Sequence, residues 1–312
     1  MNPVLNSKMD TYIKQRHEFD KFFAKRKVNK GDSKLITHTC FGKPYGSYHI
    51  SDNDYNKFLS LYKKIVCKKD NLHIIERHDG KLVGPLIIDI DYWVDMKKKG
   101  RKYRLDHIEE LIRISTNVIK KCLRVKKSDL EVLVMEKEKP TFKEEKGKYK
   151  DGFHLIYPIP IHVKMRYYIL EEIKKRAQEE DIFEDIPFID EDGYNDIFDM
   201  RVVYNNGITM YGSRKEDGQT YFLTHIYNGD IEKQKLYYEP EELAVLCSVR
   251  RYCDDDALDI SMNLKNDEDE LSRIDEMYSR KHLKKKEKIN KERKNKDDSD
   301  NKEKNDKEEK GE

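Results

Sequence analysis

The chain has 312 residues, enough for one large domain or two small ones. Charged residues make up 40%, yet acids and bases nearly cancel to a net charge of +2, which excludes a globally basic surface. No apolar run approaches the twenty residues of a membrane span, no leader peptide is expected, and the five cysteines (Cys40, Cys67, Cys122, Cys247, Cys253) form no CxxC pair. These features predict a reduced, intracellular protein without a cysteine zinc site.

In chain order, "MDTYIKQRHEFDKFFAKRK" sets Tyr12, Ile13, Phe19, Phe22 and Phe23 at helical spacing. "KPYGSYHI" reads as a turn into a short strand. A helix capped by Ser51 or Asp52 follows, with Tyr55, Phe58, Leu59, Tyr62, Ile65 and Val66 on its apolar side. "NLHIIERH" and "PLIIDIDYWV" read as strands. The clearest helix is "RLDHIEELIRISTNVIKKCLRV", striped by Leu105, Ile108, Leu111, Ile112, Ile119 and Leu123. "DLEVLVMEK" is a predicted strand, "KPTFKEEKGKYKDG" a polar loop, and "FHLIYPIPI" a strand that Pro158 and Pro160 end. "VKMRYYILEEIKKRAQEE" is a predicted helix. "MRVVY" and "ITMYG" flank Asn205-Asn206-Gly207, a hairpin signal. A strand "TYFLTHIY" and a helix "EPEELAVLCSVR" close the apolar part. The βαββαβ order predicts an α+β fold, a mostly antiparallel sheet with helices on one face. Residues 1–260 are expected to form the domain and 261–312 a charged, disordered tail or linker, because apolar side chains almost vanish after Ile289. Two basic clusters, "KRKVNKGDSK" and "DMKKKGRKYR", suit nucleic acid or a merely solvated face.

The strand "GPLIIDIDYW" carries Asp89 and Asp91 two apart, hence on one face. Like charges there repel, and burying them unpaired is costly, so removing one is expected to relieve strain. A divalent cation is the usual compensation; a lysine partner is the bland alternative. Two-metal sites need about three carboxylates, and Asp199 and Asp196 both stand before the apolar "MRVVY" segment. His154 interrupts an apolar strand, alternating with Phe153 and Leu155, and suits a phosphate or metal neighbour, or a core histidine bonded to a carbonyl. Ser213, Arg214 and Lys215 supply a hydroxyl and two cations at a strand end, a set that suits a triphosphate.

Taken together, "GPLIIDIDYW", "KDGFHLIYP" and "IFDMRVVYNNGITMYGSRK" resemble the three-motif order of archaeo-eukaryotic primases (AEP). They are most similar to the primase domain of the primase-helicases of large nucleocytoplasmic DNA viruses, poxviruses included. "THTCFGKPYGSYHISDNDYNKFLSLY", "HIIERH" and "EPEELAVLCSVR" extend the resemblance to about residues 35–255. It implies an RRM-like antiparallel catalytic sheet with helices plus a smaller N-terminal α/β half. It also implies Asp89, Asp91 and Asp199 as ligands of two Mg²⁺ or Mn²⁺ ions, which favours Asp199 over Asp196. His154 is implied to contact the incoming NTP or dNTP, and Lys215, with Ser213 and Arg214, its phosphates. The implied activity is primer synthesis on single-stranded DNA, in the host cytoplasm if the chain is viral. A metal-dependent nuclease or an inactive nucleic-acid-binding module are the alternatives. The resembling proteins continue into a helicase with a P-loop. No GxxxxGK[ST] occurs here, so a helicase module is expected in cis or in trans.

Overall fold

A computed structural model describes residues 3–29, 31–66, 72–95, 100–187, 193–203, 207–215 and 218–280. The chain divides into two units, Met1–Met262 and Asn263–Glu312. In the first, helix α1 (Pro3–Ala24) leads through β1 (Lys27–Val28), β2 (His38–Cys40) and β3 (Gly46–Tyr48) to α2 (Asp52–Ile65) and β4 (Ile74–Glu76). The long β5 (Val83–Asp95), α3 (Leu105–Cys122), β6 (Val132–Glu136), β7 (Thr141–Lys143), β8 (Lys148–His162) and α4 (Val163–Glu179) follow. Then come α5 (Tyr194–Ile197), β9 (Ile208–Thr209), β10 (Phe222–Tyr227), β11 (Lys233–Gln234) and α6 (Pro240–Leu246); α7 (Met262–Lys265) begins on the last residue of the first unit and continues in the second. Among the described residues no helix is long and apolar enough to cross a membrane. Cys40, Cys122, Cys247 and Cys253 are free thiols.

The strands form two antiparallel sheets, ordered β1-β3-β2-β4-β9 and β11-β10-β6-β8-β5, with β7 added to β8. This is the expected α+β class. The first sheet and α1 and α2 enclose an aromatic core. Phe19 and Phe23, one helical turn apart, stack at 5.3 Å, and Phe23 stacks on Tyr48 at 3.7 Å. In the second sheet, β5 and β8 run antiparallel over nearly their whole length. Period-two alternation buries Ile88, Ile90 and Tyr92 of β5 with Phe153 and Leu155 of β8 on one face. Tyr157, on that same face, hydrogen-bonds to Ser115 (2.5 Å) and Thr116 (3.0 Å) of α3. The opposite face carries the buried Ile87–Ile156 pair and then Asp89, His154, Asp91, Trp93 and Lys150.

Four sequence expectations are corrected. The polar loop after residue 139 is largely strand: β7 pairs with β8, and β8 begins at Lys148. Residues 148–151 of that segment pair with Tyr92, Trp93, Val94 and Asp95 at the end of β5. Pro158 and Pro160 lie within β8 instead of ending it. Pairing with β6 stops at Ile156, so the prolines need no donor on that side. Their carbonyls accept bonds from Arg251 Nη2 (2.7 Å) and Leu258 N (2.9 Å). Among the described residues the flanks of the expected hairpin do not pair: Met200–Val203 is a 3-10 turn, and β9 pairs with β4 of the first sheet. Asn205 and Asn206 lie outside the described residues. The expected tail begins in helix, α7 and then 268–280, where Leu264 and Ile274 are buried and Arg273–Glu270 and Arg280–Glu276 pair at helical spacing. Residues 281–312 lie outside the described residues.

A buried polar knot ties distant segments of the first unit. Glu76, 1% exposed, accepts from Tyr55 OH, from Ser248 Oγ (3.3 Å) and from the Val249 amide (2.6 Å), with His38 Nε2 at 3.4 Å. Burial pushes this carboxyl up, but His38, Tyr55 and the Val249 amide outweigh it and hold it below the usual range.

Candidate active site

Asp89 and Asp91 share the face of β5 turned away from α3. The register with β8 supplies their neighbours: Asp89 lies opposite His154 and Asp91 opposite Gly152. His154 Nε2 stands 3.1 Å from Asp89 Oδ1, and the imidazole stacks on Tyr221 with centroids 3.8 Å apart. Burial pushes the Asp89 carboxyl up. The adjacent His154 ring and Lys150 outweigh that and the opposing charge of Asp199, leaving it below the ordinary carboxylate range. Asp91 is clamped by two lysines: Lys150 Nζ donates to Oδ2 at 2.7 Å, and Lys137 Nζ lies 3.7 Å from Oδ1. The Lys137 side chain is 10% exposed, and burial pulls its ammonium down against the pull of Asp91.

Asp199 arrives along the free edge of β5. Ile90 and Phe198 form an isolated antiparallel bridge, and the Asp199 amide donates to the Asp89 carbonyl at 3.0 Å. Its carboxylate is gripped by Arg201, whose Nε lies 2.9 Å from Oδ1 and Nη2 3.3 Å from Oδ2. Asp196 falls in α5, and its side chain lies outside the described residues.

The structure thus brings Asp89, Asp91, Asp199 and His154 together. The segment after β9 belongs to the first sheet. Ser213, 2% exposed, bridges to Leu72, accepts the Ile74 amide at 3.3 Å and shares a hydrogen bond with Tyr62 OH at 3.0 Å. Its hydroxyl is committed to packing and is not presented as a phosphate ligand, contrary to the sequence expectation. The Arg214 amide donates to the Leu72 carbonyl at 2.8 Å, its Nε is buried without a hydrogen-bond partner, and Lys215 is exposed.

Sequence reasoning missed Lys137, Lys150, Gly152, Arg201 and Tyr221. Lys150, Gly152 and His154 alternate along β8, a signal hidden while "KGKYKDG" is read as loop. Gly152 has a steric reason: a Cβ there would lie 1.8 Å from the Ile90 carbonyl oxygen. Behind it, on the helix-covered face, Glu136 accepts from Arg101 Nη1 (2.9 Å), Tyr103 OH (2.8 Å) and Thr224 Oγ1 (2.5 Å). Arg101 also reaches the buried Asp151 at 3.2 Å. Burial raises Glu136, but hydrogen bonds from His225, Thr224 and Tyr103 and the Arg101 charge bring its pKa to about 2.

Among the described residues, no three His, Cys, Asp or Glu side chains converge closely enough to hold a metal ion. Each carboxylate instead has a nitrogen partner: the His154 ring beside Asp89, Lys150 on Asp91 and Arg201 on Asp199. Oδ1 of Asp91 is buried without a hydrogen bond, 3.7 Å from Lys137 Nζ, and Oδ1 of Asp89 has the His154 ring beside it at 3.1 Å. Two carboxylates on one face of one strand supply the hard oxygen donors that Mg²⁺ or Mn²⁺ requires.

An α+β chain with paired carboxylates on a sheet face and a third brought to the strand edge matches one class of protein. The family model of the C962R protein N-terminal AEP domain covers residues 37–227, and the chain belongs to this AEP family. It is 34% identical over 223 residues to "Putative helicase L207/L206" of Acanthamoeba polyphaga mimivirus, covering 69% of this chain and 22% of that protein. It is 29% identical over 223 residues to "Putative helicase 121R" of Invertebrate iridescent virus 3, covering 65% of this chain and 22% of that one. The chain spans about a fifth of the length of these curated relatives.

Proposed function

We propose that this domain is a DNA primase, or primase-polymerase, that joins nucleotides on a single-stranded DNA template. One observation carries the reading: two carboxylates on one face of β5, with His154 across the ladder and Asp199 on the adjoining edge. Asp89 and Asp91, with Asp199 once freed from the exposed Arg201, would hold two Mg²⁺ or Mn²⁺ ions. Bound there, such ions supply Lewis acidity toward a 3′-hydroxyl and the triphosphate. The protein's own groups do the rest. The rigid β5–β8 ladder fixes the carboxylates better than a loop would. His154, held flat against Tyr221, points its Nε2 to the carboxylate face and donates to a phosphate oxygen of the incoming nucleotide. Lys150 and Lys137 release Asp91 and neutralise charge growing on the leaving group. Arg214 and Lys215 are the remaining basic candidates. The two relatives' names say helicase, so the reading includes a helicase module in cis or in trans, acting in viral DNA replication.

The test is de novo synthesis on single-stranded DNA with labelled NTPs or dNTPs and Mg²⁺ or Mn²⁺. Metal-dependent primers from the wild type, and none from Asp89→Ala or Asp91→Ala, are expected. Either variant retaining wild-type synthesis with the same metal requirement refutes the site. Template degradation without synthesis identifies a nuclease instead.

A further inference from the structure

The row of same-face residues on β5 does not stop at Asp91. Two positions on, Trp93 lies on the same face, half-exposed between the buried Tyr92 and Val94. Its surroundings are fixed by register. Trp93 pairs with Lys150 and Asp95 with Lys148 across β8, and β7 extends those rows with Thr141 and Lys143. Lys143, Lys148 and Lys150 therefore share the face of the indole. Lys146, exposed in the turn before Gly147, places its Nζ 4.1 Å from the ring centroid, and Lys150 Nζ lies at 5.8 Å. Asp95 shares the face, and Glu144 and Glu145 flank Lys146, so the positive charge is local to the ring and is no broad field.

We propose that Trp93 and the lysines around it form a subsite for the single-stranded DNA template, with one unpaired base stacked on the indole and its phosphates on Lys143, Lys146 and Lys148. This inference rests on the nucleic-acid-directed reading of the carboxylate site. An aromatic face ringed by flexible cations is the chemistry that holds single strands, since every base has a π-face and the backbone is anionic. Two strand residues separate Trp93 from Asp91, about 6.8 Å at ~3.4 Å per residue. That is roughly two stacked bases at about 3.4 Å each from the reacting phosphate. The template is the strand that offers an unpaired base there, because bases of the growing product are already paired. Lys146 covers the ring when no strand is bound and moves to a phosphate when a base takes its place.

Trp93 is the chain's only tryptophan, so its fluorescence reports this subsite alone. The full chain is titrated, without metal, with an oligothymidylate, the matching duplex and a free nucleoside triphosphate. Binding is followed in parallel by anisotropy of a labelled oligonucleotide. Saturable quenching by the single strand that tracks anisotropy, with little from duplex or triphosphate, is expected. Trp93→Ala should weaken single-strand binding about 5- to 100-fold, the worth of one base stack. Trp93→Phe should recover most of it, with circular dichroism confirming both folds. Lys146→Ala should reduce the slope of log affinity against log salt by about one contact. Normal single-strand binding without quenching overturns the subsite and leaves the primase reading standing. So does equal quenching by free triphosphate, which makes the indole part of the nucleotide pocket. Absence of any single-strand binding overturns both. Quenching by a protein that synthesises nothing upholds the subsite and removes the primase reading.

Discussion

Replacing Gly152 by alanine tests the geometry of the site more sharply than removing a carboxylate. The new Cβ would lie 1.8 Å from the Ile90 oxygen and 3.0 Å from the Asp91 Cα, all backbone of the facing strand. Real Cβ contacts essentially never fall under 3.0 Å, so β8 and β5 must part by more than about 1 Å opposite Asp91. No side-chain rotation relieves it. Overpacking of this kind costs about 1–3 kcal/mol, and each of two stretched ladder hydrogen bonds adds about 1 kcal/mol. The expected loss is therefore about 3–5 kcal/mol, a large share of a domain's usual margin. At permissive temperature the folded fraction should remain impaired, since a 1 Å displacement of reacting groups costs about 100-fold in rate. Urea denaturation read by circular dichroism, beside primer synthesis per folded molecule, measures both effects. A Gly152→Ala protein with wild-type stability and turnover refutes the close strand approach and with it the argument that β8 positions Asp91.

Asp91→Ala should lower the melting temperature in metal-free buffer, by about 1–3 kcal/mol of stability, because Lys137 is left nine-tenths buried without its carboxylate; a rise would restore the view that like-charge repulsion dominates the strand. His154→Ala should raise the apparent KM for the incoming triphosphate with a smaller loss of kcat, and unchanged kinetics in the folded fraction would reduce His154 to a packing residue. Ser213→Ala should cost about 1–3 kcal/mol through the stranded Tyr62 and Ile74 groups while leaving triphosphate KM unchanged; a raised KM with unaltered stability would return Ser213 to the nucleotide site. Glu136, with a folded pKa of about 2 against an ordinary 4.5, contributes stability that is fully present above pH 4.5 and is lost as pH falls through about 2. That contribution is on the order of 2–3 kcal/mol. Urea midpoints of wild type and Glu136→Gln should therefore converge as pH drops across that window, and parallel curves would argue against it.

The periodic elements were readable because their burial is one-sided: the stripes of α2 and α3 and the apolar run of β5 state their faces directly. The two carboxylates stood out for the opposite reason, since charged side chains interrupt an otherwise apolar strand. What misled were rules whose physical condition failed. Proline ends a strand that needs its amide, but beyond Ile156 the β6 side of β8 is unpaired. Asn-Gly marks a hairpin when both flanks are strands, but Met200–Val203 coils along β5 to deliver Asp199, and Ile208 joins the other sheet. Ser213 looked like a phosphate ligand because sequence shows a hydroxyl beside two cations without showing that Tyr62 and Ile74 already hold it. The repulsion expected between Asp89 and Asp91 is already offset by His154, Lys137 and Lys150, none of which adjoins them in sequence.

The knot around Glu76 has a practical consequence for anyone cutting this chain. Similarity to the family model stops at residue 227, the last residue of β10. A protein ended there would keep every carboxylate of the proposed site and still lose the Ser248 hydroxyl and the Val249 amide that hold Glu76. Glu76 would keep only His38 and Tyr55, and a buried acceptor stripped of two hydrogen bonds costs on the order of 1–3 kcal/mol, a large share of a domain's margin. The smallest autonomous piece therefore runs at least to Arg250, whose guanidinium grips the carbonyls of Arg77 (2.9 Å) and Asp79 (2.7 Å) just beyond β4. Expression boundaries for this domain are set by a carboxylate in the opposite half of the molecule from the chemistry, and an alignment of the catalytic motifs alone would miss them.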